Sequence, residues 1–239
     1  MLMSFFFKLH HLHRCWRYRL VSEPTSLKWL LGLDVKGKTV LDIGAHHGIY
    51  SYWMSKAVGP QGTVFAFEPQ RECVEHLREV KDEFYLTNLE IVSMGLSKHQ
   101  GTMRLWREYP ESGSSSMDPP EKVKKDDYEI LDVSVTTLDD FFLSKEIPLA
   151  LIKCDVEGHE LSVFLGGKNL LGKYHPDILF ECHDRQALEG QVFSFLEDLG
   201  YRGYFYESGE KYDWREFDKV PYAKPSRRYR NYIFRFYAK

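Results

Sequence analysis

The hydrophobic positions of this chain form short continuous runs that alternate with stripes at helical spacing. Uninterrupted apolar runs predict buried strands at residues 38–43, 63–68, 89–94, 150–155 and 177–182. Most segments between these runs place apolar residues three and four positions apart, which is typical of amphipathic helices. This alternation predicts an α/β fold: a Rossmann-like, doubly wound sheet that is mostly parallel and has right-handed crossovers.

Four more apolar segments predict strands outside the parallel core. Residues 102–106 and 131–135 form an extra strand pair. The segment 107–130 is rich in Ser, Pro and charge, and it predicts a long inserted loop. Residues 201–206 and 231–237 close the chain as an antiparallel strand pair at its C-terminal end.

Two helices follow the fourth and fifth predicted strands. The helix after the fourth strand directs Leu161, Phe164 and Leu165 inward. The helix after the fifth strand spans residues 186–199 and ends at Gly200. Its apolar stripe consists of Leu188, Val192, Phe195, Leu196 and Leu199.

The first 36 residues predict an N-terminal helical arm, followed by one domain at residues 37–239. The arm is apolar first and basic afterwards, which is the reverse of a secretory signal, and its apolar run is shorter than the roughly 20 residues that span a bilayer. A helix packed on the domain is the favoured interpretation. The alternative is a surface-associating segment that sets Phe5, Phe6, Phe7 and Trp16 against Lys8, Arg14, Arg17 and Arg19.

Composition and charge narrow the class of protein. Hydrophobic residues make up 43% of the chain, which excludes a disordered protein, and the net charge of −3 argues against a generally basic nucleic-acid binder. The four cysteines form no C-x-x-C pair and no zinc-ligand spacing. We therefore expect free thiols, a reducing compartment and a cytoplasmic location.

The last 21 residues, from Lys219 to Lys239, carry seven Lys and Arg and no acid. A final strand preceded by an exposed basic loop is the favoured interpretation. The alternative is a cationic edge that contacts an anionic surface, such as membrane head groups, so peripheral membrane association stays open.

A glycine-rich turn follows the first predicted strand, with the pattern D-x-G-x-x-x-G at Asp42, Gly44 and Gly48. The spacing differs from the G-x-G-x-x-G of dinucleotide enzymes, which argues against an NAD-dependent oxidoreductase. A carboxylate beside the turn repels a pyrophosphate and attracts a cationic ligand. Glu68 ends the second strand, where an acid accepts the hydroxyls of a ribose. Together these features predict a site for a cationic nucleoside cofactor.

Four segments extend this pattern: VLDIGAHHGIYSYWMSK, TVFAFEP, VSVTTLDDFF and LALIKCDVEGHELSVFLGG. With them the chain resembles the FkbM family of class I S-adenosylmethionine-dependent methyltransferases, from about Lys38 to Gly203. The block I-K-x-D-V-E-G-x-E is the most specific part of the resemblance. The resemblance implies a class I methyltransferase domain at residues 37–239 that uses S-adenosyl-L-methionine.

The resemblance also implies which residues bind the cofactor: Asp42, Gly44, Ala45, His46, Gly48, Glu68, Pro69 and Asp155. Members of the family often carry Asn at the position of His46. The serine-bearing stretch Gly113–Met117 resembles one often seen in the long loop of the family. Two interpretations are open for it: a segment that reaches the active site, and a flexible loop tip.

The resemblance further implies O-methylation of a hydroxyl on a sugar or glycoconjugate. Such a hydroxyl must lose a proton, which calls for a general base or a metal. Acids and histidines follow the fourth and fifth strands, and we expect Asp155, His183 and His159 to be catalytic, with His183 preferred over His159 as the base. No metal is predicted, because the sequence does not show that these groups converge.

Other acceptors and one non-enzymatic role remain as alternatives. A methyltransferase acting on RNA or an amine is the first, and a non-catalytic module that binds a partner through a cofactor pocket is the second. We expect a small-molecule or glycan acceptor and no DNA, and we consider nucleic acid the less favoured partner because the rest of the chain is acidic. The sequence leaves the oligomeric state open.

Overall fold

Two β-sheets organise the protein, whose computed structural model describes residues 2–119, 127–142, 144–223 and 229–237. The strands are β1 (Thr39–Ile43), β2 (Thr63–Phe67), β3 (Leu89–Val92), β4 (Gly95–Leu96), β5 (Gly101–Arg107), β6 (Glu129–Thr136), β7 (Leu149–Cys154), β8 (Asp177–His183), β9 (Tyr201–Glu207), β10 (Glu210–Asp213) and β11 (Tyr229–Phe236). The large sheet has the order β10-β9-β11-β8-β7-β1-β2-β3, and the small sheet has the order β4-β6-β5.

Helices cover both faces of the large sheet. They are α1 (Leu2–Arg17), α2 (Pro24–Leu31), α3 (Ile49–Val58), α4 (Arg71–Glu83), α5 (Leu138–Phe142), α6 (Glu160–Leu165), α7 (Lys168–Tyr174), α8 (Asp184–Glu189) and α9 (Gln191–Asp198). A π-helical turn at Tyr18–Ser22 joins α1 to α2. One apolar core lies between the sheet and α1–α4, and the other lies between the sheet and α5, α6, α7 and α9.

The predicted Rossmann-like α/β fold is confirmed. Strands β1, β2, β3, β7 and β8 pair in parallel, and the C-terminal strands β9 and β11 pair antiparallel, as expected. The extra strand pair is also present, as the antiparallel β5 and β6. Strand β10 was not predicted, because its sequence, EKYD, is mostly polar and adds only an edge to β9.

The register of the central strands brings the functional sequence motifs together. Ile43 lies opposite Phe67 on one side and opposite Cys154 on the other. The residues that follow these three strand ends therefore meet at one edge of the sheet, which is where open α/β sheets bind ligands. Within β1, alternation places Val40 in one core and Leu41 in the other, so Asp42 lies on the same face as Val40, beneath α3.

The predicted helix at residues 186–199 is wrong in one respect. The structure breaks it at Gly190, whose φ of 69° is a left-handed conformation that ends α8 before α9 begins. The break rotates Leu188 out of the predicted stripe and leaves it 73% exposed. Leu165 was also expected inward, but it is exposed, because α6 ends there and the chain turns into α7.

The N-terminal arm packs on the domain with one face and exposes the other. Helix α1 contacts α3 and α4, and it buries His11 and Cys15. Phe5, Phe6 and Trp16 point to solvent. None of the described helices combines the length and the apolar character that crossing a membrane requires. The four cysteines are buried and unpaired.

Candidate functional site

The turn after β1 passes very close to the end of β7. Gly44 has a φ of 75°, and a side chain there would collide with the backbone carbonyl of Asp155. Gly48 has a φ of 76°, and an added Cβ would lie 2.7 Å from Leu77. Only glycine meets both conditions at each position. His46 also has a positive φ, of 48°, a conformation in which His and Asn are among the more common non-glycine residues.

Glu68 is buried and fixed at the end of β2. One carboxylate oxygen accepts the backbone N–H of His46 at 2.9 Å, and the other accepts that of Gln70 at 2.9 Å. Burial raises the pKa of Glu68 to about 7, although the two N–H donors act in the opposite direction. Each oxygen retains a lone pair for a further donor. Glu68 can therefore accept hydrogen bonds from the two hydroxyls of a ribose.

Asp42 takes a different position from the one expected. Its carboxylate is completely buried, accepts a hydrogen bond from Ser51 at 2.5 Å, and lies 3.7 Å from the Lys153 ammonium. It lines neither of the cavities at this edge. The expectation of direct ligand contact is therefore corrected, and the reason is strand alternation, which turns Asp42 toward α3. Gly48 likewise lies behind the turn and shapes it without lining a cavity.

Lys153 links Asp42 to the site. Its ammonium lies 3.3 Å from the Asp155 carboxylate, which does face both cavities. Burial acts against the charge of Lys153, but Asp155, Asp42 and Glu23 together raise its pKa. Lys153 therefore stays charged and holds Asp155 in place.

A largely apolar cavity opens beside Glu68. Five of the predicted cofactor residues line it: Gly44, His46, Glu68, Pro69 and Asp155. Phe67, Met94, Leu96, Leu105 and Met117 contribute apolar walls. Such a slot, with a carboxylate among its lining groups, fits a flat nucleobase and its ribose.

The loop after β5 forms one wall of this cavity, which favours the first of the two interpretations given for the stretch Gly113–Met117. Gly113, Ser115 and Met117 line the cavity. The Gln70 side chain donates to the Ser112 carbonyl at 3.2 Å and to the Ser115 hydroxyl at 3.0 Å, so the loop is fastened to the start of α4.

A second cavity adjoins the first and has a more polar lining. Its lining includes Ala45 and Asp155 of the predicted set, and Arg14 and Tyr18 from the N-terminal arm. Five residues line both cavities: Gly44, His46, Gly113, Asp155 and Glu157. The two cavities therefore form one continuous site with an apolar part and a polar part.

The polar cavity contains a histidine–carboxylate pair. His183 Nε2 lies 3.1 Å from the Glu157 carboxylate, and the imidazole is 40% exposed. The hydrogen bond that His183 donates to the Glu157 carboxylate raises the pKa of His183, while partial burial lowers it by less. His183 thus lies where the sequence predicted it, within reach of a molecule in the cavity.

Glu157 itself is held by the loop after β7. Its φ is 52°, a left-handed conformation for a residue that is not glycine. The buried Glu160 carboxylate accepts the N–H groups of Val156 and Gly158, and Ser116 donates to the Glu157 carbonyl at 2.7 Å. This hydrogen bonding shapes the loop so that the Glu157 side chain faces the cavity. The second Glu of the E-G-x-E motif therefore has a structural role.

Several acids line the polar cavity. They are Glu23, Asp155, Glu157 and Glu181, and the cationic residues of the same cavity are Arg14 and Lys153. Burial, followed by Asp155 and Glu157, raises the pKa of Glu181. Among the residues that the structure describes, none forms a side-chain hydrogen bond or an ion pair with the Glu181 carboxylate.

Two groups of side chains have the composition of metal ligands. Glu157, Glu181 and His183 bring their ligand atoms within 4.8 Å of one another, and so do His46, His47 and Cys73. Carboxylate oxygens and an imidazole suit Mg²⁺ or Mn²⁺, and the second group suits a softer ion. The absence of a metal from the mechanism stays a prediction.

His159 does not belong to the site, which corrects its assignment as catalytic. It is 4% exposed and lies away from both cavities. Its Nε2 lies 2.9 Å from the Ser97 hydroxyl, and its Nδ1 lies 3.2 Å from the Asp118 carboxylate. Both ring nitrogens are therefore engaged, because His159 lies immediately before α6 and its side chain points toward Ser97 at the end of β4.

Residues from the N-terminal arm are the part of the site that sequence reasoning missed. The Glu23 carboxylate accepts hydrogen bonds from Tyr50 at 2.6 Å and from Asn231 at 2.8 Å. Arg14 Nη1 lies 2.6 Å from Nδ1 of His47 in the glycine-rich turn. The sequence shows only that this helix is basic toward its end, which does not identify the residues that it contacts.

Comparisons with known proteins agree with this geometry. The model of the methyltransferase FkbM domain matches residues 42–202. The curated methyltransferase sdnD from Sordaria araneosa is 27% identical over 190 residues, which cover 68% of this chain and 73% of sdnD.

Solved structures share the fold. The FkbM methyltransferase from Methylobacillus flagellatus superposes with a TM-score of 0.54 at 16% identity, over 85% of this chain and 45% of that one, so the chain spans less than half of that protein. Aeropyrum pernix fibrillarin, solved with bound S-adenosyl-L-methionine, gives a TM-score of 0.50 at 12% identity and covers 88% of this chain and 73% of that chain.

A mostly parallel sheet, a glycine-rich turn and a buried acid at the next strand end define a class I S-adenosylmethionine-dependent methyltransferase. The chain belongs to the FkbM methyltransferase family. Its cofactor is S-adenosylmethionine, and the apolar cavity beside the Gly44 cradle and Glu68 has the chemistry to hold the nucleoside part of that molecule.

Proposed function

We propose that this protein methylates a hydroxyl group of a sugar or glycoconjugate. The observation that carries the proposal is the His183–Glu157 pair, which lies in a polar cavity continuous with the nucleoside cavity. A hydroxyl is a weak nucleophile, and a positioned base that removes its proton is worth about 10²–10⁴-fold in rate. The sugar itself is proposed from family membership.

Residues around the apolar cavity hold the cofactor in this proposal. Glu68 accepts hydrogen bonds from the ribose hydroxyls, and Phe67, Leu96 and Met117 enclose the base. Asp155, fixed by Lys153, pairs with the ammonium of the methionine part. The cofactor supplies a methyl group activated by attachment to a sulfonium.

Residues around the polar cavity act on the acceptor. The imidazole of His183 takes the hydroxyl proton, and the Glu157 carboxylate stabilises the imidazolium that results. The fixed loop that carries Glu157 keeps this pair in one orientation. The walls of the cavity limit access of water and align the oxygen with the methyl carbon.

An amine acceptor is the second candidate, because of the charge of the polar cavity. Glu23, Asp155, Glu157 and Glu181 attract a cationic group, and Arg14 and Lys153 are engaged with His47 and the acids. Burial, and after it the neighbouring acids, raises the pKa values of Glu23 and Glu181, and a bound cation would favour their ionised forms. The same carboxylates repel phosphates, which argues against RNA.

We also propose a cytoplasmic location, on the basis of four buried free thiols. The predicted contact of the basic tail with an anionic surface has less support. Of its cations, Arg230 pairs with Glu207 and Arg235 pairs with Asp177, so both are engaged within the fold. Residues 224–228 and 238–239 lie outside the described residues.

An acceptor screen with a methyl-labelled cofactor tests the proposal. We expect label transfer to a glycan or small hydroxylated acceptor, and none to RNA. Transfer to amines only would favour the second candidate. Cofactor binding without transfer to any glycan, lipid, amine or RNA would support the non-catalytic binding module instead.

A further inference from the structure

The N-terminal segment, residues 2–22, has two different faces. Phe7, His11, Cys15 and Tyr18 lie three and four positions apart and turn toward α3 and α4, with His11 and Cys15 almost fully buried. This face attaches the segment to the domain. The opposite face is therefore fixed in its orientation, and its Trp16 ring packs edge-on against Trp53 of α3.

The opposite face is apolar and exposed. Phe5, Leu9, Trp16 and Leu20 repeat at intervals of four and seven, so they form one stripe, and Phe6 lies beside it. These five side chains are between 46% and 66% exposed. More than half of the large hydrophobic side chains that the described residues expose lie between Met3 and Val21. A contiguous apolar patch of this kind on a folded protein marks an interaction surface.

The charge of the same segment is entirely positive. It contains Lys8, Arg14, Arg17 and Arg19 and no acidic residue. Among the described residues, Lys8 pairs with Glu83 and Arg14 contacts His47, so Arg17 and Arg19 are the cations of the segment that form no pair with an acidic or imidazole side chain. Arg17 is exposed, and the Arg19 guanidinium lies over the rings of Trp16 and Trp53, at 5.1 and 4.5 Å from their centroids. Cations therefore accompany the apolar stripe at its C-terminal end.

We propose that the exposed face of residues 2–21 lies in the headgroup region of an anionic lipid bilayer, with the helix axis parallel to the surface. An exposed apolar stripe accompanied by Lys and Arg is the pattern of interfacial helices. We do not propose that the helix crosses the bilayer, because α1 has 16 residues and crossing takes about 20. Charge decides between a bilayer and a second copy of the chain: self-association brings two acid-free cationic segments together, whereas anionic headgroups supply the missing negative charge.

Vesicle sedimentation tests this surface. The probes are vesicles of phosphatidylcholine with phosphatidylserine and vesicles of phosphatidylcholine alone. We expect wild-type protein to bind the anionic vesicles and to dissociate at high salt. The double substitution Phe5→Glu/Phe6→Glu should weaken binding by about tenfold or more, and Arg17→Glu should weaken it in the same direction.

Leu188→Glu is the matched control, since Leu188 is an equally exposed apolar residue on α8, outside the segment. It should bind as wild type does. All four substituted positions are exposed, so thermal unfolding should be unchanged in every variant.

Two results would overturn the proposal. The first is wild-type protein that fails to sediment with anionic vesicles, or Phe5→Glu/Phe6→Glu that sediments equally well. The second is a wild-type dimer in light scattering that becomes a monomer in Phe5→Glu/Phe6→Glu, which would assign the face to a second copy. The measurement uses no methyl donor, so its outcome is independent of the proposed catalytic function.

Discussion

Substitution of Glu68 by Gln removes the charge that the account assigns to ribose binding. The two carboxylate oxygens each accept one buried backbone N–H, from His46 and from Gln70. A Gln side chain has one oxygen, so its NH₂ group faces one of these donors. One buried N–H is then unsatisfied, at a cost to folding of about 1–3 kcal/mol.

The effect on cofactor affinity follows from the lost charged acceptor. A hydrogen bond to a charged group contributes about 1.5–3 kcal/mol, which corresponds to roughly 10–150-fold in affinity. We expect Glu68→Gln to bind S-adenosylmethionine more weakly within that range. Glu90→Gln, an exposed substitution on the adjacent β3, should have no effect.

The pKa of Glu68 adds a pH signature. Because burial raises this pKa to about 7, the folded, ligand-free protein binds a proton between pH 4.5 and about 7 that the unfolded chain does not, and the ligand-free fold loses stability as pH rises through that window. Ribose hydroxyls donate to the ionised form. With a pKa of about 7, the ionised fraction of Glu68 rises from about one tenth at pH 6 to about nine tenths at pH 8, so affinity should rise about tenfold.

Isothermal titration calorimetry of wild type, Glu68→Gln and Glu90→Gln at several pH values measures both effects. Wild type should show affinity that increases from pH 6 to 8 and is then constant, and Glu68→Gln should show a flat profile. Equal affinity of wild type and Glu68→Gln would refute the assignment of Glu68 to the ribose, and a pH dependence that persists in Glu68→Gln would refute the role of its ionisation.

Other predictions concern the base, the turn and the metal. His183→Ala should lower turnover by about 100-fold or more with little change in cofactor affinity. Glu157→Gln should move the acidic limb of the pH–rate profile to lower pH, because the hydrogen bond to Glu157 raises the pKa of His183; an unchanged limb would contradict this coupling. In denaturant unfolding, Gly44→Ala should cost about 2–5 kcal/mol, since strain and a backbone collision add, whereas Gly37→Ala, with a φ of 71° and open space, should cost about 1 kcal/mol. A chelator should leave turnover unchanged; loss of turnover that Mg²⁺ restores would assign a cation to Glu157, Glu181 and His183.

Continuous apolar runs made the parallel strands predictable. A strand buried on both faces needs apolar residues throughout, and this requirement is local. The predicted helix at residues 186–199 was less secure, because its apolar spacing continues across Gly190. Only the left-handed φ of that glycine, which the fold imposes, breaks the helix and exposes Leu188.

In the site, strand ends were predictable but side-chain directions were not. The order of motifs along the chain brought Gly44, Glu68 and Asp155 to one edge, as the structure confirms. Asp42 was expected at the ligand, but strand alternation turns it toward Ser51. Asp42 instead contacts Lys153, and the same ammonium contacts Asp155, which lines the cavity.

Contacts between distant segments were beyond sequence reasoning. His159 and His183 have the same chemistry and similar distances from strand ends, yet His159 is enclosed by Ser97 and Asp118 while His183 faces the cavity. Glu23 and Arg14 reach the site from the arm because helices pack there. Such pairings depend on tertiary packing, which a single sequence does not reveal.

A crystal structure of the protein with S-adenosylhomocysteine tests the central claim most directly. The account predicts both ribose hydroxyls at about 2.6–3.2 Å from the Glu68 carboxylate and the base among Phe67, Leu96 and Met117. It also predicts the sulfur on the side of Asp155, open toward His183. Ligand density that leaves Glu68 without a ribose contact, or that lies outside the two joined cavities, would contradict it.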